Sequence, residues 1–63
     1  MNKAKIIELL LDGAYLVITE SHFYHPSFRK GYRKMSSGNI SFIAAKRALS
    51  GQMILENGIF KVK

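Results

Sequence analysis

The sequence contains no cysteine and no tryptophan, a single proline, and only four acidic residues. Each shortage excludes something. Without cysteine there is no disulfide scaffold, no thiolate zinc finger and no redox motif, and the plain reading is a cytoplasmic protein. With one proline and 48% hydrophobic residues, the chain does not have the composition of a disordered segment. No apolar run approaches the roughly 18 residues that a membrane span needs. The apolar start MNKAKIIELLLDGAYLVI is interrupted by Glu8 and Asp12, so it is not read as a signal peptide. Neither a Gly-x-Gly-x-x-Gly nor a P-loop pattern occurs, and no cofactor is expected.

What is present is one small basic domain, residues 1–63. A domain of this size buries only about 60% of its unfolded surface, so it depends on tight packing or on a partner, a second copy of itself included. The formal net charge is +6, and its placement says more than its size. Glu8, Asp12, Glu20 and Glu56 are the only acids; residues 21–55 hold none, yet they hold Arg29, Lys30, Arg33, Lys34, Lys46 and Arg47. The flanking segments nearly cancel, so the excess charge sits in the middle of the chain. Such a segment fits a polyanion partner, either nucleic acid or an acidic protein face. It has the wrong sign for a mimic of DNA.

Hydrophobic spacing predicts an α+β fold in the order αββαββ, two helices on a small, mostly antiparallel sheet. Helix 1 covers about Lys3 to Leu11, with Asn2 as N-cap and Gly13 as the stop; Ile6, Ile7, Leu10 and Leu11 form its buried stripe. Strand 1 is AYLVITE, with Ala14, Leu16 and Ile18 on one face and Tyr15, Val17 and Thr19 on the other. Both faces are fairly apolar, and a homodimer is one way to cover the second. His25-Pro26-Ser27 predicts a turn. Strand 2 is then read as Phe28 to Met35, with Phe28, Lys30, Tyr32 and Lys34 sharing one face. Helix 2 runs from about Ile40 to Ser50 after the capping-rich loop Ser36-Ser37-Gly38-Asn39. Ile6, Leu10, Phe42, Ala45 and Leu49 are expected to pack the helices on the sheet. In QMILENGIFKVK, Asn57-Gly58 predicts a two-residue turn that pairs Glu56 with Ile59, Leu55 with Phe60, Ile54 with Lys61 and Met53 with Val62. That register puts Met53, Leu55, Phe60 and Val62 together on a buried face.

AAKRALSGQMILENGIFKVK, a helix followed at once by a hairpin, resembles the back half of a winged-helix domain. The resemblance covers about a third of the chain. It implies that Ser41, Lys46, Arg47 and Ser50 face a DNA major groove and that Lys61, Lys63 and the Asn57-Gly58 tip form the wing. The chain departs from that family in having one helix, not two, before helix 2.

Three chemistries compete for ESHFYHPSFRKGYRK. Glu20, His22 and His25 are three metal-type ligands, but no cysteine or fourth carboxylate joins them, so no metal is expected. Ser21, Ser27, His22 and His25 are triad-type residues, but sequence adjacency does not build a triad, and the chain is read as non-catalytic. FRKGYRK alternates cations with aromatic rings, the pairing that holds phosphates and stacks bases. The expected function is therefore nucleic-acid binding, DNA or RNA. Arg29, Lys30, Arg33, Lys34, Lys46 and Arg47 would contact phosphate, and Tyr24 or Tyr32 would stack. The alternative is a small interaction module, an inhibitor or adaptor of the kind phages and mobile elements encode. It would bind an acidic face of a larger nucleic-acid enzyme through the same residues.

Overall fold

The computed structural model describes all 63 residues. The chain opens with α1, Lys3–Leu11, where the Asn2 side chain accepts a hydrogen bond from the Lys5 N–H at 2.9 Å and so satisfies one free donor of the first turn. Gly13, at φ +96°, turns the chain out of the helix in a conformation that side chains with a Cβ rarely adopt. Three short strands follow: β1 (Tyr15–Val17), β2 (His22–Tyr24) and β3 (Tyr32–Lys34). The second helix, α2, spans Ile40–Ala48; its N-cap Asn39 accepts from the Phe42 N–H at 3.2 Å. The chain ends with β4 (Met53–Glu56) and β5 (Ile59–Val62). The strands form one antiparallel five-stranded sheet in the order β3-β2-β1-β5-β4.

The α+β class stands, but the element order is αβββαββ rather than αββαββ. The strand expected over Phe28 to Met35 is mostly turn. Phe28 N–H donates to His25 O, Gly31 N–H to Phe28 O, and His25 N–H to Gly31 O, at 3.0, 3.0 and 3.2 Å. Gly31 sits at φ +80°, which breaks any strand through it. Phe28 leaves the expected alternation because it packs its ring against Phe23, 5.8 Å between centroids, at the edge of the core. Phe28 and Lys30 therefore belong to the turn, and only Tyr32 to Lys34 are strand. The extra strand, β2, is the arm that this turn connects to β3. Strand 1 also stops early, at Val17; residues 18–21 reverse direction, with Ser21 at φ +58°.

The C-terminal hairpin has the expected register: Met53 opposite Val62, Ile54 opposite Lys61, Leu55 opposite Phe60 and Glu56 opposite Ile59. Asn57 and Gly58 both have positive φ, 53° and 75°, as a type I′ turn requires. Leu55 nevertheless stays 58% exposed, because β4 is the sheet edge and no helix reaches its far end. The winged-helix order is not reproduced, since three strands separate the helices and β5 is bonded into the sheet beside β1.

Both helices pack on the same sheet face. Ile6, Leu9 and Leu10 of α1, Phe42 and Ala45 of α2, and Leu49 just after it meet Ala14, Leu16 and Phe23 in a single core. The Phe42 ring lies edge-on to Phe23 and to Phe60, at 6.4 and 6.0 Å, and so links β2, β5 and the helix layer. Leu9 rather than Leu11 completes the α1 stripe; Leu11 is 59% exposed, one position beyond the arc that faces the sheet. Ala48, expected on the α2 stripe, is likewise exposed.

At about 0.05–0.15 kcal/mol per residue, a domain of this length has only about 3–9 kcal/mol of stability. Phe42→Ala is expected to cost about 3–5 kcal/mol, enough to unfold much of the population at room temperature. Leu11→Ala should change stability by less than about 0.5 kcal/mol. Urea unfolding followed by circular dichroism measures both. A small loss from Phe42→Ala would mean that the aromatic contacts across the core do not hold the layers together.

Candidate nucleic-acid interface

Pairing partners in an antiparallel sheet point to the same side. The row Arg33–Phe23–Leu16–Phe60–Leu55 therefore faces the helices. The adjacent row, Tyr32–Tyr24–Tyr15–Lys61–Ile54, faces the other way, as does the row Lys34–His22–Val17–Ile59–Glu56. Neither helix covers this second face. All three tyrosines of the chain thus stand on one uncovered surface, together with His22 and the two cations Lys34 and Lys61.

The rings pack side by side. Tyr15 and Tyr24 stack with centroids 5.2 Å apart and planes 17° apart; His22 and Tyr32 stack at 4.3 Å and 29°. Tyr24 bridges the two pairs, 5.7 Å from Tyr32 and 6.2 Å from His22. Glu20 holds this cluster in place. Its carboxylate accepts the Tyr24 hydroxyl at 3.1 Å and lies 3.5 Å from His22 Nδ1. Burial raises the Tyr24 phenol above its ordinary 10.0, and the Glu20 hydrogen bond and charge raise it further. Tyr24 is therefore uncharged at neutral pH and presents no repulsion to a phosphate.

The cations named from the sequence fall into three places. Lys34 is on the open face, opposite His22. Arg29 and Lys30 are exposed in the turn between β2 and β3. Arg33 points to the helix side, with its guanidinium 5.3 Å from the Phe28 ring centre. Lys46 and Arg47 end α2, where positive charge suits the helix C-terminus. The Lys46 ammonium lies 5.1 Å from the centre of Phe60 in β5, on the helix side. Sheet order sets β2 and β1 between β3 and β5, so Lys46 and Arg47 do not join the group around β3. They line a cleft of about 320 Å³ with Leu49, Ser50, Gly51, Met53 and Phe60. Only Lys5, among the lysines and arginines, has a carboxylate within 4.0 Å, that of Glu8 at 3.3 Å.

Tyr15 was not singled out from the sequence as a functional residue; His22 was weighed only for metal or triad chemistry, and Lys61 only as part of a wing. The outward alternation of Tyr15 was visible, but strand order was needed to set it beside Tyr24 and Lys61.

His25 has a different task. Its ring is 7% exposed, in the only buried polar residue of the chain. The Ser27 backbone N–H donates to Nδ1 at 3.0 Å, so Nδ1 is the unprotonated nitrogen and Nε2–H donates to Asp12 at 2.8 Å. The Ser27 hydroxyl also donates to Nδ1, at 2.7 Å. Hydroxyl, imidazole and carboxylate stand in the order of an acyl-transfer triad. One Nδ1 lone pair serves both Ser27 donors, and structurally the group is a clasp. It ties the turn to the end of α1, where the Asp12 carboxylate would otherwise oppose the helix dipole.

Compared with known proteins, the chain matches no protein-family model, no curated protein and no solved structure.

Two outcomes follow. His25→Ala is expected to lower stability by about 1–3 kcal/mol, and Asp12→Asn by less, because that carboxylate is exposed; thermal melting reads both. The Tyr24 proton is held more tightly in the folded than in the unfolded chain. Stability attributable to it is therefore complete below pH 10 and declines as pH rises from there to the raised folded value. Ultraviolet titration of phenolate should show Tyr24 ionising above 10.0, and Glu20→Gln should lower it part of the way, since burial is the larger cause.

Proposed function

We propose that this chain is a small non-catalytic nucleic-acid-binding protein. One observation carries the reading: the uncovered sheet face collects every tyrosine of the chain with His22, and sets Lys34 and Lys61 among them. Aromatic rings that are exposed, as Tyr32 is, or half-buried on an open face, as Tyr15, His22 and Tyr24 are, offer base stacking, and cations without carboxylate partners are free to take phosphate. Arg29 and Lys30 extend the charge beyond the β3 end of this face. Lys46 and Arg47 are a separate contact region on the helix side, not a continuation of it.

A second reading, an interaction module for an acidic protein, draws on different residues. Leu55 is 58% exposed at the β4 edge, and the cleft above Met53 and Phe60 combines an apolar floor with Lys46 and Arg47. Such a cleft suits a carboxylate on an apolar stem. A partner that stays bound after nuclease treatment would favour this reading.

Four to six phosphate contacts predict that log affinity for an oligonucleotide falls with log salt at a slope of about −3 to −5. Lys34→Gln should reduce the steepness by about 1, and Lys5→Gln should not change it. A flat salt dependence would refute the proposal.

A further inference from the structure

We infer that the ligand is single-stranded and that one of its bases enters the cleft between Pro26 and the Tyr15–Tyr24 pair. The inference rests on the nucleic-acid reading above and adds the form of the nucleic acid and the seat of a base.

The cleft holds about 170 Å³ and is lined by Tyr15, Tyr24, His25, Pro26 and Gly31. It lies beside the Tyr15–Tyr24 pair, at the end of β2 where the turn to β3 begins. A drug-sized molecule takes about 300–1,000 Å³, and a water occupies about 30 Å³. The space therefore suits one flat ring system. Its walls are suited to such a ring as well. Tyr15 and Tyr24 present two nearly parallel rings, 17° apart, and Pro26 presents an apolar ring from the turn.

Most polar groups of the wall are already engaged: the Tyr24 hydroxyl donates to Glu20, and of the side chains only the Tyr15 hydroxyl has no protein partner. Both nitrogens of His25 are bonded, to Ser27 and Asp12. The Gly31 N–H is bonded to Phe28, and its carbonyl accepts from His25. One free hydroxyl, which can both donate and accept, discriminates little between base edges, so the site takes a base chiefly by its face.

Charge lies where a backbone would need it. Arg29 and Lys30 belong to the turn that carries Pro26 and Gly31, both exposed and without a carboxylate partner. Lys61 is the neighbour of Tyr15 across the sheet. A phosphate on either side of the seated base meets a cation. A duplex cannot use this site without unpairing, because its bases are stacked on one another and their faces are covered.

The chain has no tryptophan and its three tyrosines all stand on this face, so intrinsic tyrosine fluorescence reports directly on it. The test titrates the protein with single-stranded DNA and RNA oligonucleotides of mixed sequence, a duplex of equal length, and an abasic strand with the same number of phosphates. The single strand should quench the emission and bind about 5- to 150-fold more tightly than the abasic strand, the range that stacking one base supplies. Tyr15→Leu, shown to be folded by circular dichroism, should weaken the single strand by a similar factor and leave the abasic strand unchanged. Pro26→Ala, at an exposed turn position, should weaken the single strand in the same direction and guards against a folding artefact at Tyr15. If duplex or abasic strand binds as tightly as the single strand, the inference fails and the nucleic-acid reading survives. If no oligonucleotide binds at all, both fail together.

Discussion

The fold hangs on one set of contacts, the Phe42 ring set between Phe23 and Phe60. These residues belong to β2 and β5, with Leu16 of β1 between them in the same row, so one helix side chain spans the centre of the sheet. Only ten residues of 63 are buried, and nine of them form this single core. A chain this short cannot build a second layer on the other side of the sheet. Both helices are spent on one face, and the opposite face is left to whatever its side chains can tolerate. That one-sidedness is the origin of the surface described above.

An uncovered sheet face needs residues that are stable in water yet support strands. Tyrosine meets both needs, since its ring packs on neighbours across the strands while its hydroxyl stays wet. The three tyrosines and His22 do pack on one another, so part of their presence here is explained by strand stability alone. What that explanation leaves over is the placement of charge. Glu20 is hydrogen-bonded to Tyr24 and lies 3.5 Å from His22 within the cluster, whereas Lys34 and Lys61 stand beside the rings without a carboxylate within 4.0 Å. The face's other carboxylate, Glu56, stands on the β4 edge at the opposite end of the sheet from Lys34 and forms no ion pair.

Much of the fold was legible in the sequence where local chemistry decides it. Asn2 and Gly13 bound α1, and Asn57-Gly58 determines the register of the last hairpin through backbone φ alone. The middle of the chain was misread because FRKGYRK alternates as a strand does. Its real conformation depends on Gly31 adopting positive φ and on Phe28 reaching Phe23, and neither shows in a two-residue period. Leu9 and Leu11 were exchanged because a short apolar run fits several helical arcs. The candidate site was only half visible. Tyr32 and Lys34 could be named, and Lys61 only as part of a wing; that Tyr15 and Lys61 are neighbours depends on the order β3-β2-β1-β5-β4, which joins strands far apart in sequence. The clasp between Asp12 and His25 spans 13 residues and was missed for the same reason.

The cations themselves can be sorted by whether the fold already uses them. Lys46 and Arg47 occupy the last turn of α2, where positive charge stabilises the exposed carbonyls, and Lys46 also lies over Phe60. Arg33 lies over Phe28 on the helix side. These have structural work sufficient to account for them. Lys34 also lies on an edge strand, where charge discourages pairing with another chain, so its presence has a partial structural reason. Lys61 has no such reason, being on β5 inside the sheet, directly across from Tyr15. A lysine in the interior of a row otherwise made of tyrosine and isoleucine weakens strand packing relative to a β-branched residue. Its position next to the Tyr15–Tyr24 pair is therefore the charge that the fold explains least and that an anionic ligand explains best.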